Sequence, residues 1–166
     1  MKVVSPDIVH KSDAGGVVTG ITDEAGARAA YTAILGNVSA AFPDARVDGV
    51  IVEEQVAAGL ELIVGGTTDP AFGKVITFGL GGTLVELVRD VAIRVLPIDD
   101  DERADMVRSI RGYPLIAGFR GQAPRDEAAL LDAIEKISSF FLARDDLSEF
   151  DINPLVLYEK GVCAVD

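Results

Sequence analysis

One cysteine, one histidine and no apolar run long enough to cross a bilayer set the first limits on this sequence. A lone Cys163 has no partner for a disulfide within the chain, which fits a reducing, cytoplasmic setting. No stretch approaches the roughly 18 apolar residues of a membrane span, and the opening residues do not read as a signal peptide. Positive charge is also scarce: 15 Lys and Arg stand against 27 Asp and Glu, for a formal net charge of -12. Such a field repels nucleic acid and anionic membrane surfaces, so neither is expected as a partner. It disfavours anionic nucleotides too, unless Lys, Arg and Mg²⁺ compensate at the site.

The 166 residues, 49% hydrophobic and 25% charged, suit one globular domain that buries about two-thirds of its unfolded surface. Val3–Val4 reads as a short strand ended by Pro6, and Val17–Ile21 as another. Thr22 is the expected N-cap of a helix from about Asp23 to Ala41, with Ala30, Ile34 and Val38 along its buried face. Strands are expected at Gly49–Val56, Leu60–Gly65 and Lys74–Phe78, with Thr67–Gly73 as a turn. Further strands are expected at Leu84–Val88 and Val91–Leu96. Helices follow from Asp99 to about Arg111 and from Pro124 to Arg144, then a closing hairpin of Asp151–Tyr158 and Gly161–Asp166. This alternation implies an α+β or α/β domain with a mixed sheet.

Three segments carry candidate chemistry. The first is Ser5–Val17, where the sole histidine, His10, precedes Lys11, Ser12, Asp13 and the Gly15-Gly16 pair. An imidazole nitrogen is a usable nucleophile near neutral pH, and glycines can hinge a loop and let backbone N–H groups approach phosphate. His10 is therefore either a phosphoryl acceptor on a moving loop or a surface histidine in a polar turn. The second segment is the terminal hairpin. Glu149, Asp151 and Asn153 alternate on one strand; a Glu159-Lys160 turn would set Asn153 directly opposite Asp166, and a three-residue turn using Gly161 would shift that by about one position. Oxygen ligands converging on one face suit Mg²⁺, while the plainer reading is a solvated acidic edge. The third is the apolar region holding Glu53, Glu61 and the run Phe78–Gly82. Its carboxylates can hold an adenine amino group or a ribose hydroxyl, or can be exposed strand-end charge. The glycine run lacks both the GxGxxG spacing and a P-loop ending, so alone it marks only a tight backbone passage. Arg120, within Gly118–Gly121, is either an anion contact or a surface charge.

Taken in order, KVVSPDIVHKSDAGGV, VIVEEQVAAGLELIVGGTTDPAFGKVITFGLGGTLVEL, GFRG and EFDINPLVL with its closing AVD resemble the ATP-grasp domain of NDP-forming acyl-CoA synthetases. The likeness is greatest to the beta subunit, or fused beta region, of ADP-forming acetyl-CoA synthetases. It implies an α+β ATP-grasp fold of two lobes over residues 1–166, about 1–56 lid-like and 57–166 holding nucleotide and Mg²⁺. At matching positions it implies Lys2 on nucleotide phosphates, Glu53 and Val56 at the adenine hinge, and Glu61 on ribose or nucleotide. Asn153 and Asp166 match Mg²⁺ ligands, and His10 matches a histidine thought to relay a phosphoryl group. The implied cofactors are ATP or ADP and Mg²⁺. The implied partner is a CoA-binding ligase alpha subunit or fused domain, in an oligomeric assembly. Relatives carry a further segment ahead of Lys2, so the chain reads as lacking part of its lysine strand and the helices before it. Two other readings are a regulatory ATP-grasp-like module of a fused protein acetyltransferase and a beta subunit of a succinyl- or malyl-type CoA ligase.

Overall fold

Helix α1, Glu24–Ala41, begins one residue later than the pattern predicts. Asp23 rather than Thr22 is its N-cap, because the Asp23 carboxylate accepts the Gly26 N–H at 2.7 Å. The computed structural model describes residues 1–82 and 89–165. The expected strand at Leu84–Val88 and Asp166 lie outside the described residues. The chain divides into two compact units, Met1–Ala57 and Ala58–Asp166.

In the first unit, β1 (Lys2–Val4) pairs antiparallel with β2 (Gly49–Ile51), Val3 facing Val50. Val3, Ile8, Ala14, Ile34 and Val38 form its core. The expected strand at Val17–Ile21 is reduced to one bridge between Lys2 and Val17. Gly20 shows why: its N–H is taken by the Gln55 side chain at 2.6 Å and is lost to any ladder. The expected strand Gly49–Val56 stops at Ile51, and residues 52–59 run without regular structure.

The second unit is a five-stranded antiparallel sheet in the order β5–β4–β3–β6–β7. Its strands are β3 (Leu60–Asp69), β4 (Gly73–Leu80), β5 (Val91–Val95), β6 (Glu149–Leu157) and β7 (Val162–Ala164). The β3–β4 turn is tighter than predicted. Asp69 closes it by accepting the Ala71 and Phe72 N–H groups, so β3 runs on through Thr67 and Thr68. Alternate residues Leu62 and Val64 point into a core shared with Ile76, Phe78, Ile134 and Phe141.

Helices α2 (Asp100–Ser109), α3 (Tyr113–Ala117) and α4 (Glu127–Leu142) complete this unit. Asp99 and Glu102 cap α2 reciprocally. That helix ends before the predicted Arg111 because the Asp90 carboxylate captures the Arg111 and Gly112 N–H groups, which a longer helix would need internally. Helix α4 starts at Glu127 and not Pro124 because Asp126 is its N-cap, its carboxylate accepting the Ala129 N–H. The Arg125 N–H bonds Ile116 and the Asp126 N–H bonds Tyr158. No basic side chain lies in the last turn of α4; Lys74 from β4 supplies the cation there, donating to the Phe141 and Arg144 carbonyls.

Phe141 is fully buried and meets Phe150 edge-on, ring centroids 5.0 Å apart. Phe141→Ala is expected to destabilise the chain by about 3–5 kcal/mol in urea melts, from lost transfer energy plus a cavity. Asp126 accepts the Gly161 and Ala129 N–H groups, which holds its carboxyl below the usual range, and Arg144 brings Asp146 down to about 2. Both groups ionise more readily folded than unfolded. Their stabilisation is therefore complete above about pH 5 and is lost as pH falls through the unfolded value near 4 toward about 2. Thermal melts should show Asp126→Ala less stable than wild type at neutral pH, with the gap narrowing in acid. An equal gap at both pH values would contradict the assignment.

Candidate functional site

His10 sits at the tip of the loop that joins β1 back to itself. Val3 donates to the Gly16 carbonyl, Gly16 to Lys11, and Ala14 to His10. Val9 and His10 are exposed, while Ile8 and Ala14 on either side are buried in the first unit's core. The Gly15-Gly16 pair is packed and does not act as a free hinge. A side chain at Gly16 would press on Val3 and the Lys11 carbonyl, and the Asn37 amide donates to the Gly15 carbonyl. The loop thus offers the imidazole to solvent from a doubly anchored base. Any large excursion would have to draw Ile8 or Ala14 out of the core.

Lys2 reaches the same unit's Glu53, Nζ to Oε2 at 3.1 Å, with both side chains partly exposed. The pairing joins two residues that the sequence assigns to different parts of a nucleotide. Val56 lies half-buried in the irregular stretch after β2, near Gln55, whose side chain holds Gly20.

In the second unit a separate cluster forms where β3, β4 and β6 come together. The Gly82 N–H donates to Asn153 Oδ1 at 3.1 Å, and the Gly81 N–H to the Glu61 carbonyl at 2.9 Å. Gly82 has φ +62°, and a Cβ there would displace the Glu61 carboxylate, the free end of an exposed side chain. Glu61 and Asn153 are therefore brought together about one glycine. Because a carboxamide nitrogen cannot accept an N–H, this bond also fixes which end of Asn153 is oxygen.

The strict alternation from Glu149 to Asn153 does not persist. The β3–β6 register shifts between Leu62 and Val64, so Asn153 and Pro154 together stand opposite Ile63. Glu149 and Asp151, opposite Thr67 and Gly65, line a hollow of about 640 Å³ with Thr77. Partial burial there raises the Asp151 carboxyl above its ordinary value. The two-residue spacing that groups Asp151 with Glu149 and Asn153 in the sequence places Asp151 and Glu149 together in this hollow. On the other edge of β6, Leu155, Val156 and Leu157 pair with Ala164, Cys163 and Val162, the register from which the Asp166 placement was predicted; Asp166 itself lies outside the described residues.

Among the described residues no three His, Cys, Asp or Glu side chains are grouped to hold a metal. The donor chemistry that is present, a carboxamide oxygen beside a carboxylate, is that of a hard cation such as Mg²⁺. Asn153 fits such an ion, with the Glu61 carboxylate beside the same glycine.

The family model for the ATP-grasp domain matches residues 1–166. The chain belongs to the ATP-grasp family. It is 45% identical over its whole length to the beta subunit of acetate–CoA ligase (ADP-forming) I from Pyrococcus furiosus, spanning 72% of that protein. It is 43% identical to acetate–CoA ligase (ADP-forming) I of Archaeoglobus fulgidus, of which it spans 24%. Among solved structures it resembles the dinucleotide-forming acetyl-coenzyme A synthetase 1 of Ca. Korarchaeum cryptofilum. The form of that enzyme with coenzyme A, Ca-AMPCP and HgCl⁺ matches at a TM-score of 0.92 and 41% identity, covering 99% of this chain and 72% of that one. A second form, with coenzyme A and Mg-AMPPCP, has its phosphohistidine segment pointing towards the nucleotide-binding site and matches at 0.87 and 38%, covering 100% and 72%.

Gly82→Ala is expected to lower the melting temperature chiefly through backbone strain of about 1–3 kcal/mol at its positive φ, and also to displace the Glu61 carboxylate. Adding Glu61→Ala should recover only the smaller part that comes from Glu61. A double-mutant cycle with no coupling between positions 61 and 82 would refute their contact.

Proposed function

We propose that the chain is the nucleotide-binding, phosphoryl-transfer part of an ADP-forming acyl-CoA synthetase. The observation that carries this reading is the meeting of Glu61 and Asn153 about Gly82 in an ATP-grasp domain. The overall reaction is acyl-CoA + ADP + phosphate ⇌ acid + CoA + ATP. A CoA-binding ligase subunit or fused domain supplies the acyl chemistry, in an assembly working in the cytoplasm. In this reading residues 1–56 form a lid-like lobe and 57–166 the nucleotide and Mg²⁺ lobe.

Each residue has a limited task. Lys2 exchanges its Glu53 partner for phosphate oxygens and adds positive charge as negative charge develops on the transferring group. Glu53 and Val56 then serve the adenine, and Glu61 the nucleotide beside Asn153. Asn153 and Asp166 would hold Mg²⁺, which when bound neutralises phosphate charge. His10 accepts the phosphoryl group on an imidazole nitrogen as the N–P bond of the partner's phosphohistidine breaks and its electron pair returns to that ring. In the step toward ATP its N–P bond breaks as a β-phosphate oxygen of ADP forms the new P–O bond, and the nitrogen lone pair returns to the ring. Its exposed tip position supports access by a partner's phosphohistidine.

Calorimetry with ADP and Mg²⁺ tests the binding half of this reading. Asn153→Ala or Asp166→Ala should weaken Mg-ADP binding by about tenfold or more. Equal affinity in wild type and both variants would refute the metal assignment. His10→Ala, assayed with the CoA-binding subunit, should abolish acyl-CoA-linked ATP formation while leaving Mg-ADP binding within about twofold. Near-normal turnover would leave His10 as a loop residue and favour a succinyl-type ligase with its histidine wholly in the partner.

A further inference from the structure

Asp90 stands apart among the acids of this chain. Its side chain is 6% exposed, in a protein whose other carboxylates lie mostly at the surface. It pairs with no cation among the described residues. It is held instead by two backbone donors, Arg111 N–H at 2.9 Å on Oδ1 and Gly112 N–H at 2.6 Å on Oδ2. A buried carboxylate is tolerated only where such bonds replace its water.

The backbone of the same residue borders the glycine run. The Asp90 carbonyl accepts the Leu80 N–H at 3.3 Å and occupies the space that a side chain at Gly79 would need. Past that point each residue is fixed in turn, Gly81 on the Glu61 carbonyl and Gly82 on Asn153 Oδ1. On the far side, a side chain at Gly112 would press on Leu80 at 2.7 Å. Asp90 therefore ties the corner between α2 and α3 to the start of the segment that orients Asn153.

We infer that Asp90 is a positioning residue for the metal-binding oxygen of Asn153, acting through residues 80–82. It touches neither nucleotide nor metal. Its two bonds hold the α2–α3 corner against Leu80, which sets where the Gly82 N–H lies and so which way the Asn153 carboxamide faces. The role in metal binding rests on the function proposed above; the effect on residues 80–82 does not.

Asp90→Asn tests it with little change of shape. An amide keeps one acceptor but turns its NH₂ toward the other backbone N–H, so one of the two bonds is lost. Amide exchange followed by NMR should show the Gly81 and Gly82 N–H groups exchanging about tenfold faster, with the Val64 and Ile76 amides in the sheet unchanged. Calorimetry should show Mg-ADP affinity falling about tenfold while metal-free ADP affinity changes less than about twofold, as expected when a supporting partner of a metal ligand is removed. Leu131→Ala, a packing loss on α4, serves as the control, lowering stability without that split. Gly112→Ala, which presses Leu80 from the opposite side, should reproduce the faster exchange if Asp90→Asn fails to fold. Unchanged exchange at Gly81 and Gly82 in the folded variant would overturn the inference. So would equal losses of affinity with and without Mg²⁺. If the wild-type chain bound no Mg-ADP, the proposed function would fall, and the exchange rates would still decide whether Asp90 positions the segment.

Discussion

Strand β3 is bonded along both edges, to β4 on one side and β6 on the other, and that double commitment organises the second unit. A central antiparallel strand must give every backbone group a partner, so its neighbours are locked in register and cannot slide independently. Leu62 and Val64 then face the core while Ile63 and Gly65 face the opposite side. Glu61, at the start of this strand, inherits a fixed position from the ladder. The site is accordingly built from rigid elements, with the one departure at the β6 irregularity opposite Ile63. There the surplus residue releases Asn153 from the ladder and lets its side chain meet Gly82. A regular strand through Asn153 and Pro154 would have kept strict alternation and given up that meeting.

Much of this was legible in the sequence because period and turn chemistry are local. Ala30, Ile34 and Val38 are buried on α1, and the hairpin register at Leu155–Leu157 is that of a Glu159-Lys160 turn. The ATP-grasp fold was legible from motif order. The helix boundaries are less so, because they depend on which side chain captures which N–H group. The Asp23 and Asp126 carboxylates cap α1 and α4, and the distant Asp90 takes the Arg111 and Gly112 N–H groups that a longer α2 would have used. The short helix α3 was missed because five residues carry too little period to read. The pairing of Lys2 with Glu53 depends on β1 lying against β2, a long-range event that no local pattern encodes. The glycine run was read as a tight passage. Its use in orienting Asn153 becomes visible only once β4 and β6 flank the same strand.

The acidity of the chain can then be set against the nucleotide chemistry proposed for it. A net charge of -12 opposes a polyphosphate at long range, though screening confines that opposition to about 8–10 Å at physiological salt. Within that distance the balance is decided by individual groups, and the candidate residues are not uniformly basic. Lys2 is already paired with Glu53, and Glu61 stands beside Asn153. Phosphate arriving at Lys2 must displace a carboxylate that is itself half exposed, so the exchange trades one solvated ion pair for another and contributes little net affinity. Glu61 is the larger obstacle, since nothing cationic is bonded to it among the described residues. A divalent cation held by Asn153, as proposed, would reverse the sign of that neighbourhood and turn Glu61 from a repulsive group into a balancing one. In the function proposed above, dependence on Mg²⁺ would follow from where the acids lie. On that proposal, the orientation of a single carboxamide, which the Gly82 N–H fixes, would bear more on nucleotide affinity than the total charge of the protein.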